Sequence, residues 1–384
     1  MLVRWIPLAV ATFAVGTDGF VIAGLLPAIA ADLKVDISAA GQLVSVFALT
    51  MAVSAPVLGA ATSGLDRRSA LLAALIVFAV GNVATAMATS YAAAMAARVV
   101  AAAGAGIINS TAAGAAVAMA EPHRRGRALA VVMGGLSAAS PIGLPLGMLI
   151  GGADWHVTMW AVAALSLLAA AGIAAGLPRI VVPVPPLRAR LAHLARPRVL
   201  AVLAVSVATL AGVYVLYTYI GAALAGATGG SADLLTIVLG ISGVGIVVGT
   251  VLAGRLTDVH GAERVLLLAL GGIAVVMAAG ALVAASLVAA VAWAGIWGIA
   301  VGFPVVAQQH RLVADAPEAA PILLGLNSSA VYLGIALGGG IGGLAQAWMA
   351  PSALGLLGAG IVAAGLVLTL VTRRSAARSV GSVA

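Results

Sequence analysis

Asp18 differs from the other ten carboxylates of this chain, because it lies near the middle of an apolar run from Trp5 to Ala31. The others fall at or between the ends of such runs. An ionisable group at membrane depth costs several kcal/mol, so it is seldom kept there without use. In a low-dielectric cavity a carboxylate can bind and release a proton near physiological pH. The plainer alternative is a structural hydrogen bond to a neighbouring backbone group, Ser or Thr. Arg98 is the one basic residue inside an apolar run, two helical turns from its start. A guanidinium cannot discharge, so it must find acceptors or reach water. It could tune Asp18 by changing its distance between conformations, or it could snorkel to the nearer interface. The sequence leaves open whether the two residues meet.

Other polar groups in apolar runs are Asn109, Ser110, Gln308, Asn327 and Ser328. Each could line a cavity or hydrogen-bond between helices. Tyr214 and Tyr217, spaced i, i+3, share a helix face, with Tyr219 beyond them. Together with Trp293, Trp297 and Tyr332 they could stack on a cargo, and the tyrosines could equally anchor at an interface. The candidate cavity residues are therefore Asn109, Tyr214, Tyr217, Trp297, Gln308, Asn327 and Tyr332. Asp66 with Arg67, and Asp258 with Arg255, read as turn residues that could hold a gate or simply cap helices. All five histidines lie in loops or at run ends and no cysteine exists, so no Ser-His pair or metal site fits within the membrane. An enzyme is not expected, nor a cofactor other than a proton gradient.

The elements that must position these residues are membrane helices. The 384 residues are 63% hydrophobic and 8% charged, with a mean hydropathy of +1.21. That composition excludes a soluble domain. Stretches of ~20 apolar residues, enough to cross ~30 Å of hydrocarbon, recur along the chain. Twelve are read, over 5–30, 39–62, 69–89, 91–119, 127–151, 156–177, 199–224, 232–254, 264–285, 287–308, 320–346 and 350–372. Of the 19 Lys and Arg residues, all but Lys34 and Arg98 fall in alternate loops or at the two ends. This positive-inside pattern predicts both termini in the cytoplasm. The net charge of +8 is thus a matter of topology, and the basic residues are too scattered for nucleic acid. The first run is too long for a cleavable signal peptide.

The Pro- and Arg-rich segment 178–198 reads as a cytoplasmic linker with a short amphipathic helix at 187–195. It divides the chain into a six-helix lobe over 1–177 and another over 199–384. Gly143, Gly147, Gly151 and Gly152 recur 191 residues later as Gly334, Gly338, Gly342 and Gly343. Asp66 and Asp258 keep nearly the same offset. Glycines four apart let helices approach closely, so Gly143, Gly147, Gly334 and Gly338 are expected at helix contacts. Six-span repeats are a pattern of two-lobed transporters with a midplane site.

Thr17-Asp18-Gly19-Phe20-Val21-Ile22-Ala23-Gly24-Leu25-Leu26-Pro27 resembles the first-helix signature of the twelve-helix drug:proton antiporters of the major facilitator superfamily, and of the related sugar-efflux permeases. Gly254-Arg255-Leu256-Thr257-Asp258-Val259-His260-Gly261 resembles that superfamily's signature between paired helices. In the first half only Asp66-Arg67 remain of it. Arg98 with Gly104 is similar to the fourth-helix motif, whose arginine the family links to proton transfer. Ser140-Pro141-Ile142-Gly143-Leu144-Pro145-Leu146-Gly147 is closer to the sugar-efflux form than to the drug-antiporter form. The resemblance implies an all-α major facilitator fold in the bacterial inner membrane. It implies proton-coupled efflux of a drug, antibiotic or sugar-like molecule by alternating access, with Asp18 and Arg98 handling the proton. The partners expected are a small-molecule substrate, protons and the bilayer, in a monomer. The alternatives are a symporter or facilitator importing a polar solute, and a non-transporting sensor.

Overall fold

In hydrocarbon an unpaired backbone N–H or C=O costs several kcal/mol, and a helix satisfies these groups within itself. The computed structural model describes residues 2–62, 64–152, 154–181, 187–283 and 285–381. Among them are twelve helices long and apolar enough to cross a membrane. They are α1 (Leu2–Asp32), α2 (Ile37–Ala61), α3 (Arg67–Ala86), α4 (Tyr91–Met119), α5, α6 (Trp155–Gly176), α7 (Pro197–Tyr217), α8 (Ala232–His260), α9 (Ala262–Val283), α10 (Leu287–Asp315), α11 (Ala320–Ala345) and α12 (Leu354–Gly381). Helix α5 comes in two parts, Arg125–Ala138 and Leu144–Ile150, joined by a π turn at Ala139–Gly143. The turn contains Pro141 and is followed by Pro145, whose rings and missing N–H groups do not fit a regular α-helical ladder. Side chains of Asp36, Asp66, Ser90, Asp154, Ser231 and Ser286 accept from backbone N–H groups at the starts of α2, α3, α4, α6, α8 and α10.

Three sequence expectations need correction or restriction. The seventh span was expected to run to 224, but α7 ends at Tyr217, and short helical turns at Ile220–Ala223 and Ala225–Thr228 follow. Tyr219 therefore lies beyond the helix. Asp258 is no turn residue: α8 continues to His260 and stops at Gly261, whose φ of 83° suits glycine. Within the expected linker, Leu187–Leu191 is helical and Ala192–Ala195 forms a 3₁₀ turn. The proline-rich stretch 182–186 is outside the described residues.

Helices α1–α6 and α7–α12 form two lobes. Glycine sets the closeness of several contacts within them. A Cβ at Gly143 would overlap the Thr17 hydroxyl, and one at Gly147 would strike Val21. In the second lobe Gly334 lies against the Val207 carbonyl and Gly338 against that of Ala211, so α11 packs on the backbone of α7.

With twelve crossings both chain ends lie on one face. The lobes meet mainly toward the other face, where α2 runs along α11, the second part of α5 along α8, and α1 against Ile220–Ala223. One apolar core, from Val21 to Val362, crosses between lobes there, whereas a second core stays within the first lobe and a third within the second. Between the lobes, Ser38 Oγ donates to the Gly343 carbonyl at 2.8 Å, and Gln42 Nε2 donates to the Tyr219 hydroxyl at 3.4 Å. Tyr219 in turn donates to the Gly339 carbonyl at 2.7 Å. Nearer mid-depth, Asn109 Nδ2 donates to Ser328 Oγ at 3.2 Å.

Candidate functional site

Asp18 lies about halfway along α1, some 21 Å by helical rise from Asp32 at its far end. Its carboxylate is fully buried and accepts from Arg98 Nη1 of α4 at 2.6 Å. Arg98 is itself only 1% exposed, and its guanidinium carbon is 4.1 Å from the centre of the Phe47 ring on α2. An aromatic face attracts a cation, more so where water is excluded. Of the two readings open for Arg98, the structure has pairing and not snorkelling: its side chain turns into the lobe and meets Asp18. The buried carboxylate offers the nearest countercharge, and an unpaired buried guanidinium would be far costlier.

The pair is incompletely satisfied. Asp18 Oδ2 and Arg98 Nε, both buried, have no hydrogen-bond partner. Asn82 of α3 is also fully buried. Its Nδ2 donates to the Phe78 carbonyl at 3.0 Å, while its Oδ1 has no partner. Asn82 and Phe47 were absent from the sequence candidates. Asn82 carried the same signal as Asn109, an amide within an apolar run, and Phe47 carried none.

The candidate cavity residues separate into groups. Tyr214, Tyr217 and Trp297 form one aromatic cluster, with ring centres 5.1 Å apart for Tyr214–Tyr217 and 6.1 Å for Tyr217–Trp297. Trp293 stacks on Trp297 at 5.0 Å. Phe20, two residues after Asp18, meets Tyr217 edge-on at 6.2 Å and so carries the cluster across to the first lobe. Tyr332 is half-buried and packs against cores of both lobes. Asn109 is half-buried at its interlobe bond to Ser328.

Gln308 and Asn327 are elsewhere, inside the second lobe. Gln308 Nε2 donates to the Val202 carbonyl at 2.9 Å, its Oε1 accepts from Arg311, and Ser206 Oγ donates to Asn327 Oδ1 at 2.8 Å. This network of α7, α10 and α11 engages both amides within the lobe. The proposed gate residues lie elsewhere again, at the start of α3 and toward the end of α8. Asp66 caps α3, accepting from the Ser69 backbone at 3.0 Å and from its hydroxyl at 2.7 Å, and these bonds hold its carboxyl below its ordinary range. The Arg67 backbone donates to the Ile180 carbonyl at 2.8 Å. Arg255 and Asp258 are exposed near the end of α8. No group of three or more His, Cys, Asp or Glu able to hold a metal occurs among the described residues.

Comparison with known proteins agrees with this architecture. Residues 8–223 match the family model described as Major Facilitator Superfamily. The inner membrane transport protein YdhP of Escherichia coli K12 is 32% identical, over 95% of this chain and 94% of its own. An uncharacterised MFS-type transporter of Bacillus subtilis, YbcL, is 33% identical over 88% of this chain and 87% of its own. A chloramphenicol resistance protein of Streptomyces lividans is 35% identical over 65% of this chain and 66% of its own. Among solved structures, the nucleoside transporter NupG superposes with a TM-score of 0.76 at 14% identity, covering 97% of this chain and 99% of that one. A bacterial homologue of the lysosomal transporter Spinster, described as inward-facing and unoccupied, superposes at 0.72 with 17% identity, covering 96% of this chain and 94% of that one.

Proposed function

This chain belongs to the Major Facilitator Superfamily, and from that premise we propose that it exports a small organic molecule in exchange for protons by alternating access. It is a multi-pass transporter of the bacterial inner membrane. The observation that carries the proposal is the buried Asp18–Arg98 pair, because a carboxylate at that depth is the one group there that can take up and release a proton.

The loop charges favour placing the chain-end face in the cytoplasm. The conformation described, with its lobes apposed away from that face, is then the inward-open one. Asp18 is paired with Arg98 here, as fits a proton already discharged inward. In the outward-open state a proton from outside would neutralise Asp18 and loosen its hold on Arg98, which keeps the Phe47 ring beneath it. Each proton brings about 2.3 kcal/mol per 100 mV of membrane potential, besides the pH gradient. The cargo would lie between the lobes, against Phe20, Tyr214, Tyr217 and Tyr332, with Asn109 below. Asp66, Arg67, Arg255 and Asp258 would act on the same equilibrium from the cytoplasmic ends of their helices. The chloramphenicol resistance relative favours an antibiotic-like cargo.

The test uses inside-out vesicles with an acidic lumen and a cargo panel headed by chloramphenicol. Accumulation that collapses with a protonophore, and is absent in Asp18→Asn, is the expected result. Proton-driven accumulation that survives Asp18→Asn overturns the role given to Asp18. Cargo and protons moving in the same direction make the protein an importer.

A further inference from the structure

We propose that a groove on the outer side of the second lobe, at the chain-end face, binds an anionic phospholipid. Neither the cargo nor the direction of transport bears on it. The groove has a volume of about 430 Å³ and lies among α8, α9 and α10. Val265, Leu268, Ala269 and Gly272 line it from α9, and Ala300 and Phe303 from α10. Gly272 opens its floor, since a Cβ there would meet nothing within 4 Å. Helix α9 packs on α8, α10 and α12, all of its own lobe, and Leu268 on its free side is 78% exposed. An apolar side chain so exposed on a membrane helix faces hydrocarbon, and the groove beside it opens to the bilayer.

The groove turns basic where it meets the interface. Leu256, His260 and Arg264 line that end, where α8 stops and α9 begins. Arg264 and Gly272 are eight residues apart on α9, about 12 Å by helical rise. The groove therefore spans most of one leaflet's ~15 Å of hydrocarbon. The neighbouring acids do not cancel its charge. Glu263 pairs with Arg373 of α12 at 3.2 Å. Asp258 is two residues from both Leu256 and His260, and about 200° of helical turn puts it on the other side of α8. A guanidinium presents a fork of N–H donors to phosphate oxygens. His260 adds an N–H in either tautomer, and an acyl chain fills the trough. Apolar contact gives no ground for choosing among lipids, because every lipid tail is as apolar as the groove. Headgroup charge makes the choice: Arg264 attracts an anionic headgroup and repels the cationic part of a zwitterionic one.

Native mass spectrometry of the purified full chain tests this. The probes are phosphatidylglycerol, which is anionic, and phosphatidylcholine with the same acyl chains, which is zwitterionic. One phosphatidylglycerol should stay bound to the wild type in preference to phosphatidylcholine. Arg264→Gln should weaken its binding about fivefold, the effect of one basic group near a charged lipid surface. Gly272→Leu fills the groove without touching the charge and should weaken it at least as much. Arg264→Lys, which keeps the charge, should retain most of the binding. Arg124→Gln, on another loop of the same face, should retain all of it. Equal retention of the two lipids by the wild type overturns the inference. So does a folded Arg264→Gln or Gly272→Leu that binds as wild type does. An equal loss in Arg124→Gln also overturns it, since the attraction would then belong to the whole basic face. None of these outcomes bears on the role of Asp18.

Discussion

Removing Arg98 tests what the ion pair contributes. Arg98→Ala strands a buried carboxylate, and breaking a buried pair in this way costs about 3–5 kcal/mol. A melt in detergent should therefore show a marked loss of stability. Adding Asp18→Asn to that variant should restore most of it, with proton-driven flux still absent. An Arg98→Ala protein that melts like wild type would contradict the argument. The sequence distinguished Asp18 by its depth alone, because one acid in a long apolar run needs no knowledge of the fold. It could not supply the partner. Arg98 is 80 residues away, and its position two turns from a helix start fits snorkelling as well as pairing. Only the packing of α4 on α1 decides between them. Gln308 shows the reverse case: its polarity suggested a cavity, but its partners are the Val202 carbonyl and Arg311 within one lobe.

Among the helices, spacing was readable where glycine meets backbone. Gly338 lies against the Ala211 carbonyl, so Gly338→Val should lower stability by about 1–3 kcal/mol through overpacking. A Cβ at Gly340 would have its nearest neighbour, Gln42 Oε1, at 3.9 Å, and Gly340→Ala should melt as wild type does. Comparing the two by thermal shift separates a contact glycine from one that merely shares its stretch. Helix ends were harder to read. Hydropathy runs unbroken past Tyr217, so nothing in composition marks where α7 stops, and the π turn in α5 leaves no trace beyond its two prolines. The cap of α3 makes a pH prediction. Its Ser69 bonds hold Asp66 below the ordinary 3.8. The cap's contribution is therefore complete above that value and is lost as pH falls through the lower folded one. Ser69→Ala should raise the pH at which Asp66 titrates, read by carboxyl-carbon NMR, and leave stability independent of pH across about pH 5 to 8.

For the whole molecule, the six-plus-six arrangement was legible because loop charge and the glycine repeat report the same division. Which face is closed was not, since alternating access uses one sequence for both states. The structure supplies a direct way to trap this one. Ser38 Oγ donates to the Gly343 carbonyl at 2.8 Å, so α2 and α11 touch at these two positions, and a side chain at Gly343 must displace Gln42 Nε2 and the Tyr219 hydroxyl. The chain has no cysteine of its own. Ser38→Cys with Gly343→Cys should cross-link on oxidation, stop transport, and recover with a reductant, as measured by flux before and after. A cross-linked protein that still transports would show that this contact need not open. The apolar core that crosses between the lobes has a thermal consequence as well. Parting α2 from α11 and α5 from α8 would wet apolar side chains such as Leu43, Leu144 and Leu239. Burial of that kind weakens on cooling and carries a large heat-capacity change. The balance between the two orientations should then follow a curved van't Hoff plot, and the cold should favour the state in which these surfaces are apart.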